Sequence, residues 1–397
     1  MSKNSAWKQS APRRGLETGD SCVPGPDRAL GAEEQGFVTE GDDDVRHIAG
    51  ASCPPSAPYD ADIVILALDR AEETCAAIDS ALAQQGLTRH VVVLDQGSCP
   101  AALDRLATHV AGRPDVTLLA GTRNRGVAGG RNLGTARGHG RIVAALDNDA
   151  EFATPTTLAS AVAALDDNPA LGIIGCRIVV YATGADDLSS WGYPARLQTR
   201  AAQTFDTATF VGAGHAIRRT AWNAAGGYDP ALFFCWEEFD LARRAIAAGW
   251  RVQYRGDLVI RHKVSGERRV AWSDARWFQH VRNRLYLGRK YGDTWLTLAP
   301  RIAGYLVKGA RNGLLSQTLA AIAAAGRMPH HPALLLTPAA QAYLHATDIV
   351  PRGGWIERLR REVLAEIPRT PDAPAGPQPR MTRSRSNRVS TAGLSSK

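Results

Sequence analysis

The chain has 397 residues and carries a formal net charge of +8 at pH 7. That length accommodates one large domain with an appendage. The basic charge permits nucleic-acid binding, but no recognised nucleic-acid-binding motif accompanies it, so we expect no nucleic-acid partner. The six cysteines are scattered without a Cys-x-x-Cys pair, which indicates free, mostly buried thiols in a reducing cytoplasm.

The two ends of the chain have the composition of disordered segments. Residues 1–58 are rich in Gly, Pro, Ser and acidic residues and show no sustained periodicity. Residues 369–397 are Pro-rich and then basic, and we predict a basic disordered tail there. The N-terminus lacks the apolar stretch of a secretory signal, so the expected location is the cytoplasm.

Apolar runs of strand length alternate with helical patterns from residue 62 onward. Strands are predicted at residues 62–68, 90–94, 116–119 and 142–146, and helices at residues 74–85, at residues 100–110 and from the segment 124–132 onward. Strands that are apolar throughout and alternate with helices are typical of a doubly wound, mostly parallel sheet. We therefore predict an α/β domain over residues 59–270, with a Rossmann-like nucleotide-binding half.

Acidic residues end three of these strands. Asp69 follows the first strand, Asp95 the second, and Asp147-Asn148-Asp149 the fourth. In open α/β sheets, ligands bind in the crevice beyond the carboxyl ends of the strands. Hard oxygen donors there suit Mg²⁺ or Mn²⁺, which complete their coordination with substrate phosphates. Taken alone, Asp-x-Asp is more often a turn with an Asp N-cap. The sheet context is what favours a cation and a nucleotide diphosphate.

A glycine-rich segment, residues 124–132, opens the third helix. Its glycines, Gly130 among them, permit close backbone approach, and Arg125 and Arg131 could meet a phosphate. An ordinary tight turn into a helix accounts for the same glycines. The spacing is neither Gly-x-Gly-x-x-Gly nor a P-loop, so nicotinamide and P-loop interpretations lose support.

A second acidic cluster begins a later helix, which runs to about residue 248. Glu237, Glu238 and Asp240 crowd its first turn behind bulky apolar residues at positions 233–236. Acidic residues favour helix N-termini in general. Three together beside an apolar wall are more than a cap requires, and repulsion with desolvation would raise one pKa toward the range of a general base. A strand at residues 258–262 then ends in His262, either a nitrogen ligand or simply a polar residue.

Residues 271–368 are predicted to form a helical subdomain with many basic residues. No apolar run of about 20 residues spans a bilayer, because charged residues interrupt the apolar stretches. A basic amphipathic helix can lie on an anionic membrane surface. A helical subdomain that packs on the catalytic core with a solvated basic face explains the pattern equally well. Peripheral contact with the inner face of the cell membrane therefore stays open.

Residues 62–265 resemble a family 2 glycosyltransferase of the GT-A fold. The resemblance is greatest to bacterial members that build surface polysaccharides, rhamnosyltransferase-like enzymes among them. It is carried by the order and spacing of Asp69-Arg70, residues 95–98, residues 124–132, Asp147-Asn148-Asp149, residues 210–219, residues 226–229, residues 236–241 and His262. The resemblance implies a nucleotide-sugar donor, a divalent cation (Mg²⁺ or Mn²⁺), and a saccharide or lipid-linked acceptor.

The resemblance also implies roles on the donor side. Asp95 would read the pyrimidine base, Asp69 would lie near the nucleoside, and Asp147 would face the ribose or the sugar. Asp149 would bind the metal that bridges the diphosphate, and His262 would supply a second metal or phosphate contact. The remaining residues implied at the nucleotide sugar are Arg125, Gly130, Arg131 and Asn148.

On the acceptor side, the resemblance places Gly214, Trp236 and Asp240. Glu238 falls where the family usually has its catalytic base, commonly an Asp after a Glu. Because this chain has Glu-Glu at that point, Glu237 remains the alternative base. The expected activity is metal-dependent, inverting transfer of a hexosyl or rhamnosyl unit to a hydroxyl group. An inactive relative that binds glycans or acts as an assembly subunit is the alternative function.

Overall fold

The structure is a computed structural model that describes residues 44–263, 274–329, 334–354 and 363. The predicted tail, residues 369–397, and the first 43 residues of the predicted N-terminal extension lie outside these ranges. The boundary proposed between residues 270 and 271 also falls outside them. It stays a prediction.

One ten-stranded sheet organises the described chain. Its strands are β1 (Val45–Gly50), β2 (Ala61–Ala67), β3 (Arg89–Asp95), β4 (Val116–Gly121), β5 (Ile142–Asp147), β6 (Ala150–Phe152), β7 (Leu171–Val180), β8 (Thr204–Asp206), β9 (Gly214–Arg218) and β10 (Arg251–His262). The spatial order is β1-β4-β3-β2-β5-β9-β7-β10-β6, and β8 pairs with β10.

Six of the ten described strands run in the same direction. β4, β3, β2 and β5 are parallel neighbours, and β7 and β10 are a second parallel pair. The antiparallel strand β9 joins the two sets, because it pairs with both β5 and β7. The prediction of an α/β domain with a mostly parallel sheet is confirmed.

The edge strand β1 corrects the predicted extent of the N-terminal extension. Disorder was expected as far as residue 58, but Val45–Gly50 pairs antiparallel with β4. The segment is short and flanked by Gly, Pro and acidic residues, so its composition hides the strand. Backbone pairing to an already formed edge, rather than an apolar pattern of its own, orders this segment.

Helices cover the sheet and continue beyond it. They are α1 (Ala71–Leu82), α2 (Pro100–Val110), α3 (Gly126–Ala136), α4 (Thr157–Asp167), α5 (Arg219–Ala225), α6 (Glu237–Ala247), α7 (Asp274–Lys290), α8 (Trp295–Arg311), α9 (Leu315–Arg327), α10 (Pro338–Leu344) and α11 (Val350–Arg352). Short 3₁₀ turns span Ala195–Arg200 and Pro230–Leu232, and a π-helical turn spans His345–Ile349.

The helices after the sheet have a small core of their own. Trp277, Val281 and Leu285 of α7 pack with Leu298 of α8 and with α9. By contrast, α10 packs back onto the α5–α6 side of the sheet through buried alanine and leucine side chains. None of the helices in the described ranges combines the length and apolar character that crossing a membrane requires.

The cysteines depart from expectation at one position. Cys75 and Cys176 are buried and free, and Cys53 and Cys235 are also free thiols. Cys99 is disulfide-bonded. The expectation of free thiols is therefore wrong at Cys99, since the spacing of cysteines along a chain does not reveal which of them meet in space.

Candidate active site

Three acidic or imidazole side chains reach the same edge of the sheet because their strands run in one direction. Asp95 lies opposite Ala67 at the end of β2, and Asp147 lies opposite Leu66. His262 ends β10, which runs parallel to β7. The sequence prediction that these strand ends share a crevice agrees with this geometry.

A tight hairpin brings Asp149 to His262. The chain turns at Asn148 and Asp149 into β6, which pairs antiparallel with the end of β10 so that Ala150 faces His262. The backbone N–H of Lys263 donates to the Asp149 carbonyl across 2.7 Å. Asp147, Asp149 and His262 each offer a ligand atom, and these atoms lie within 4.8 Å of one another. Two carboxylates and an imidazole at that spacing suit one divalent cation.

Asp187 supports this group, although the sequence analysis did not identify it. His262 Nδ1 lies 3.0 Å from Asp187, and His262 Nε2 lies 3.2 Å from Asp149. Burial opposes protonation, but hydrogen bonds to the two carboxylates raise the pKa of His262 to about 10. A carboxylate on one imidazole nitrogen orients the other nitrogen toward a metal, which is the usual second partner of a metal-binding histidine.

Arg70 reaches the same carboxylate from the other side. Its Nη1 donates to Asp149 across 2.5 Å. Despite burial, His262 and Arg70 lower the pKa of Asp149. Asp69 and Arg70 both have left-handed backbone conformations, with φ of 53° and 52°. Asp69 is fixed by the Cys99 N–H, which donates to its Oδ1 across 2.9 Å. This strained turn directs Arg70 at the predicted cation site.

Asp95 lines a cavity of about 330 Å³ beyond the end of β3. The Gly97 and Ser98 N–H groups each donate to its Oδ2 across 3.1 Å, and the Ser98 hydroxyl donates to its Oδ1. Burial raises the pKa of Asp95. Arg46 of the edge strand β1 also lines this cavity. A carboxylate oxygen can accept further hydrogen bonds, and the role of Asp95 at a nucleotide base stays a prediction.

The arginines at the glycine-rich start of α3 bind neighbouring residues of the protein. They are therefore not all available to a ligand. Arg131 is 2% exposed, and its guanidinium donates to Asp147 across 2.6 Å and to the Gly212 carbonyl across 3.1 Å. A Cβ at Gly130 would lie 2.9 Å from Gln96 Oε1, so glycine keeps space for that amide. Arg125 pairs with Asp44, which precedes β1. Arg131 therefore orients Asp147, and its predicted contact with a phosphate is at odds with its burial.

Asn148 lies in the turn between β5 and β6. Its amide donates to the Thr74 hydroxyl of α1 across 3.3 Å. This contact ties the turn that carries Asp149 to the first helix. The predicted contact of Asn148 with the nucleotide sugar stays a prediction.

The two glutamates at the start of α6 have different surroundings. Glu237 is 2% exposed, and its Oε2 has no hydrogen-bond partner within the described part of the chain. Burial and the charge of Glu238 raise the pKa of Glu237 well above its usual value. Glu238 is half-buried, and its carboxylate fills the space that a Cβ would need at Gly212. Burial, reinforced by Asp147, raises the pKa of Glu238 to about 7.

The segment that precedes α6 is strained and held by a residue that the sequence analysis missed. Phe233, Cys235 and Trp236 have positive φ. The buried Asn283 of α7 donates from its amide to the carbonyls of Leu232, Phe234 and Cys235 at 2.7, 2.8 and 2.9 Å. Asn283 thus fixes the backbone that aims Glu238. Nothing in the sequence around residue 283 signals this role, because the contact joins residues about fifty positions apart.

The three residues placed on the acceptor side occupy different environments. Gly214 begins β9 opposite Leu146, and a Cβ there would meet Ile260 at 2.5 Å. Trp236 is half-buried, and its Nε1 donates to the His280 carbonyl across 3.1 Å. Asp240 is fully buried and accepts from Arg244 and Tyr291, each across 2.6 Å. Asp240 is occupied by an internal ion pair, which is at odds with a direct contact to an acceptor. The predicted acceptor-side roles of Gly214 and Trp236 stay predictions.

Comparison with known proteins supports the sequence interpretation. The family model described as "Glycosyl transferase family 2" matches residues 62–224. The succinoglycan biosynthesis protein ExoO of Rhizobium meliloti (strain 1021) is 45% identical over 92 residues, which are 23% of this chain and 25% of that protein. The match therefore spans a quarter of the curated relative's length.

Two solved structures are similar to much of this chain at low sequence identity. The mannosyltransferase PcManGT from Pyrobaculum calidifontis, in complex with GDP-Man and Mn²⁺, is 24% identical with a TM-score of 0.46, covering 76% of this chain and 89% of that one. GalNAc-T7 with UDP, GalNAc and Mn²⁺ is 13% identical with a TM-score of 0.47, covering 77% of this chain and 56% of that one. The family match and the motifs at Asp95, Asp147 and Asp149 agree: the chain carries a family 2 glycosyltransferase domain across residues 62–224.

Proposed function

We propose that this protein transfers a sugar from a nucleotide-diphosphate sugar to a hydroxyl group of a saccharide or lipid-linked acceptor. The observation that carries the proposal is a chain of contacts that connects the predicted cation ligands to a carboxylate base. Asp147 is one of the three predicted cation ligands and accepts a hydrogen bond from Arg131. Arg131 also donates a hydrogen bond to the carbonyl of Gly212, and the Glu238 carboxylate packs against that glycine. One crevice therefore offers both the groups that such a transfer needs.

The donor would lie across the carboxyl ends of β2, β3 and β5. The cavity beside Asp95 would receive the nucleobase, and the group of Asp147, Asp149 and His262 would hold the diphosphate through a cation. A divalent cation bound there would stabilise the negative charge that gathers on the leaving nucleoside diphosphate. The residues fit either Mg²⁺ or Mn²⁺, and the imidazole ligand favours Mn²⁺.

Glu238 would accept the proton of the attacking hydroxyl. A sugar hydroxyl is a weak nucleophile at neutral pH and gains from a positioned carboxylate. A base with a pKa of about 7 is half deprotonated at neutral pH and still a strong enough acceptor. Glu237 is unsuited, because its carboxylate is buried away from solvent. One base and one leaving-group site describe a single displacement, which inverts the anomeric configuration.

The biological process is inferred from the relative in Rhizobium meliloti. Its name places it in succinoglycan biosynthesis, and 92 residues of this chain are similar to it. We infer a role in building a polysaccharide or glycoconjugate. A hexosyl or rhamnosyl unit is the proposed cargo.

A donor screen tests the proposal. UDP-, dTDP- and GDP-sugars are added to the full chain with and without Mn²⁺, and thermal shift identifies the donor that stabilises it most in the presence of the metal. Calorimetry then compares Asp149→Ala with the wild type. We expect Mn²⁺-dependent donor binding to be lost in Asp149→Ala and kept in Asp166→Ala, which removes an exposed carboxylate paired with Arg141. Unchanged donor affinity in a folded Asp149→Ala protein would contradict the metal assignment.

A further inference from the structure

The helical hairpin formed by α8 and α9 exposes an apolar outer surface. This hairpin face consists of Leu296, Val307, Leu315 and Leu319, which are 84%, 47%, 42% and 53% exposed. On each helix the exposed apolar positions recur at intervals of three or four residues, with Pro300 and exposed alanines between them. That spacing places them along one side of each helix. Contiguous exposed apolar surface of this kind marks an interaction site.

The hairpin folds without using this face. Its opposite side packs against α7 through Leu298, Leu314 and Ala321. The two helices meet closely where Thr318 lies against Gly309, and Trp295 lies 4.0 Å from the position of a Cβ at Gly326. The hairpin core is thus complete on the inner side. The exposed leucines are not required to close it, so their exposure calls for another explanation.

The charge around the hairpin face has a single sign. Residues 294–347 contain no Asp or Glu, whereas Arg301, Lys308, Arg311 and Arg327 lie within them. Arg311 is exposed at the turn between α8 and α9, and Arg327 is exposed at the far end of α9. Cations therefore lie at both ends of the apolar stripe on α9. An aliphatic surface bordered by cations complements an anionic lipid headgroup layer above an apolar interior.

We propose that the hairpin face docks on the surface of a bilayer that contains anionic phospholipid. Trp295 lies beside this face, 40% exposed with Arg289 over its ring, and tryptophan favours the interface between headgroups and hydrocarbon. Pairing of two hairpin faces from separate copies is disfavoured, since it would bring like charges together and residues 294–347 contain no Asp or Glu to offset them. The inference is independent of the proposed transfer reaction. It concerns only where the protein is held.

Co-sedimentation with vesicles tests the proposal on the full chain. Wild-type protein is mixed with vesicles of phosphatidylcholine alone and with vesicles that also contain phosphatidylglycerol. We expect binding to the second kind only, weakened by added salt. Leu296→Glu and Leu319→Glu should each lower the partition coefficient by about tenfold or more, since a leucine that would enter the bilayer is replaced by a charge. Leu188→Glu, at a 61%-exposed leucine outside the hairpin, is the matched control and should bind like the wild type.

Three results would overturn the proposal. The first is absence of binding to both kinds of vesicle, and the second is equal binding of the wild type and both hairpin variants. The third is a wild-type dimer, seen by sedimentation equilibrium without lipid, that Leu296→Glu dissociates, which would assign the face to self-association. Circular dichroism and melting temperature establish that each variant is folded. Because Leu296 and Leu319 are exposed, we expect no loss of stability from either substitution.

Discussion

Arg70 and the predicted metal ligand Asp149 form an ion pair, with 2.5 Å between Nη1 and Oδ2. The side chains are 23% and 17% exposed, so solvent screens the pair only in part. A cation that binds Asp149 must compete with this guanidinium. Arg70 therefore stands where the positive charge of a metal would act, and it neutralises the carboxylate until a ligand arrives.

Removing Arg70 is expected to strengthen metal binding when no donor is present. In Arg70→Ala, Asp149 loses a competing cation worth about 1 kcal/mol, and the affinity for Mn²⁺ should rise by roughly fivefold. Calorimetry with Mn²⁺ alone measures this. Arg105→Ala is the control, because it breaks an exposed ion pair with Glu72 outside the site. A lower affinity in Arg70→Ala would show that Arg70 helps to assemble the cation site.

Asp187 is expected to act on the metal through His262. Asp187→Asn keeps the shape of the side chain but removes the charge that orients the imidazole through Nδ1. Losing such a partner typically costs about 10- to 100-fold in metal affinity. Electron paramagnetic resonance of Mn²⁺ titrations reports the change directly. The neighbouring Asp186→Asn, which loosens a pair with Arg177, should leave the affinity unchanged.

Much of this site could be predicted because its residues end regular elements. Asp95 and Asp147 follow uninterrupted apolar strands, and parallel strands place their ends together whatever the rest of the fold does. The sequence pattern could not show Asp187, which follows β7 in an irregular segment. Asp187 reaches His262 only because β7 and β10 are neighbours.

The edge strand β1 and the internal ion pair of Asp240 escaped prediction for a similar reason. Asp240 is adjacent in sequence to residues that face the crevice, yet its position on α6 points it at Arg244 and Tyr291. The position of a residue in a motif gives its neighbourhood along the chain. The direction in which its side chain points depends on how α6 packs against α7, and no local sequence pattern encodes that packing.

Asn283 is expected to control the position of the base without touching a substrate. In Asn283→Ala, three carbonyls of the strained segment before α6 lose their shared donor. We expect kcat to fall by roughly 10- to 100-fold, because a small misplacement of a catalytic group is costly. Donor affinity should stay unchanged. Asn312→Ala is the matched control, because it removes a hydrogen bond from a side-chain amide to the Lys308 carbonyl, outside the predicted active site.

A structural effect of Asn283→Ala is separable from a positioning effect. Loss of the buried hydrogen bonds should lower the free energy of unfolding by about 1–3 kcal/mol, measured in urea. At a temperature where the variant is fully folded, kcat should still be reduced. Full kcat under those conditions would mean that Asn283 only stabilises the fold.

Glu238 is the expected base, so substitutions of Glu238 and of its neighbour Glu237 should have different effects on kcat. Glu238→Gln keeps the size of the side chain but cannot accept a proton, so kcat should fall by roughly 10²–10⁴-fold with donor affinity little changed. Glu237→Gln should have a small effect, because the Glu237 carboxyl is 2% exposed and cannot reach an acceptor hydroxyl. Transfer to a soluble acceptor, measured under donor saturation, compares the two. The reverse order would assign the base to Glu237.

The pH dependence of transfer gives an independent check on Glu238. A base works in its deprotonated form, and the pKa of Glu238 is raised to about 7 by burial and by Asp147. Activity should therefore be low below pH 6, rise through about pH 7, and level off above it. The ascending limb should vanish from the residual activity of Glu238→Gln and persist in Glu237→Gln. An ascending limb centred near the ordinary glutamate value of about 4.3 would mean that Glu238 is solvated during turnover and that the apolar wall does not raise its pKa.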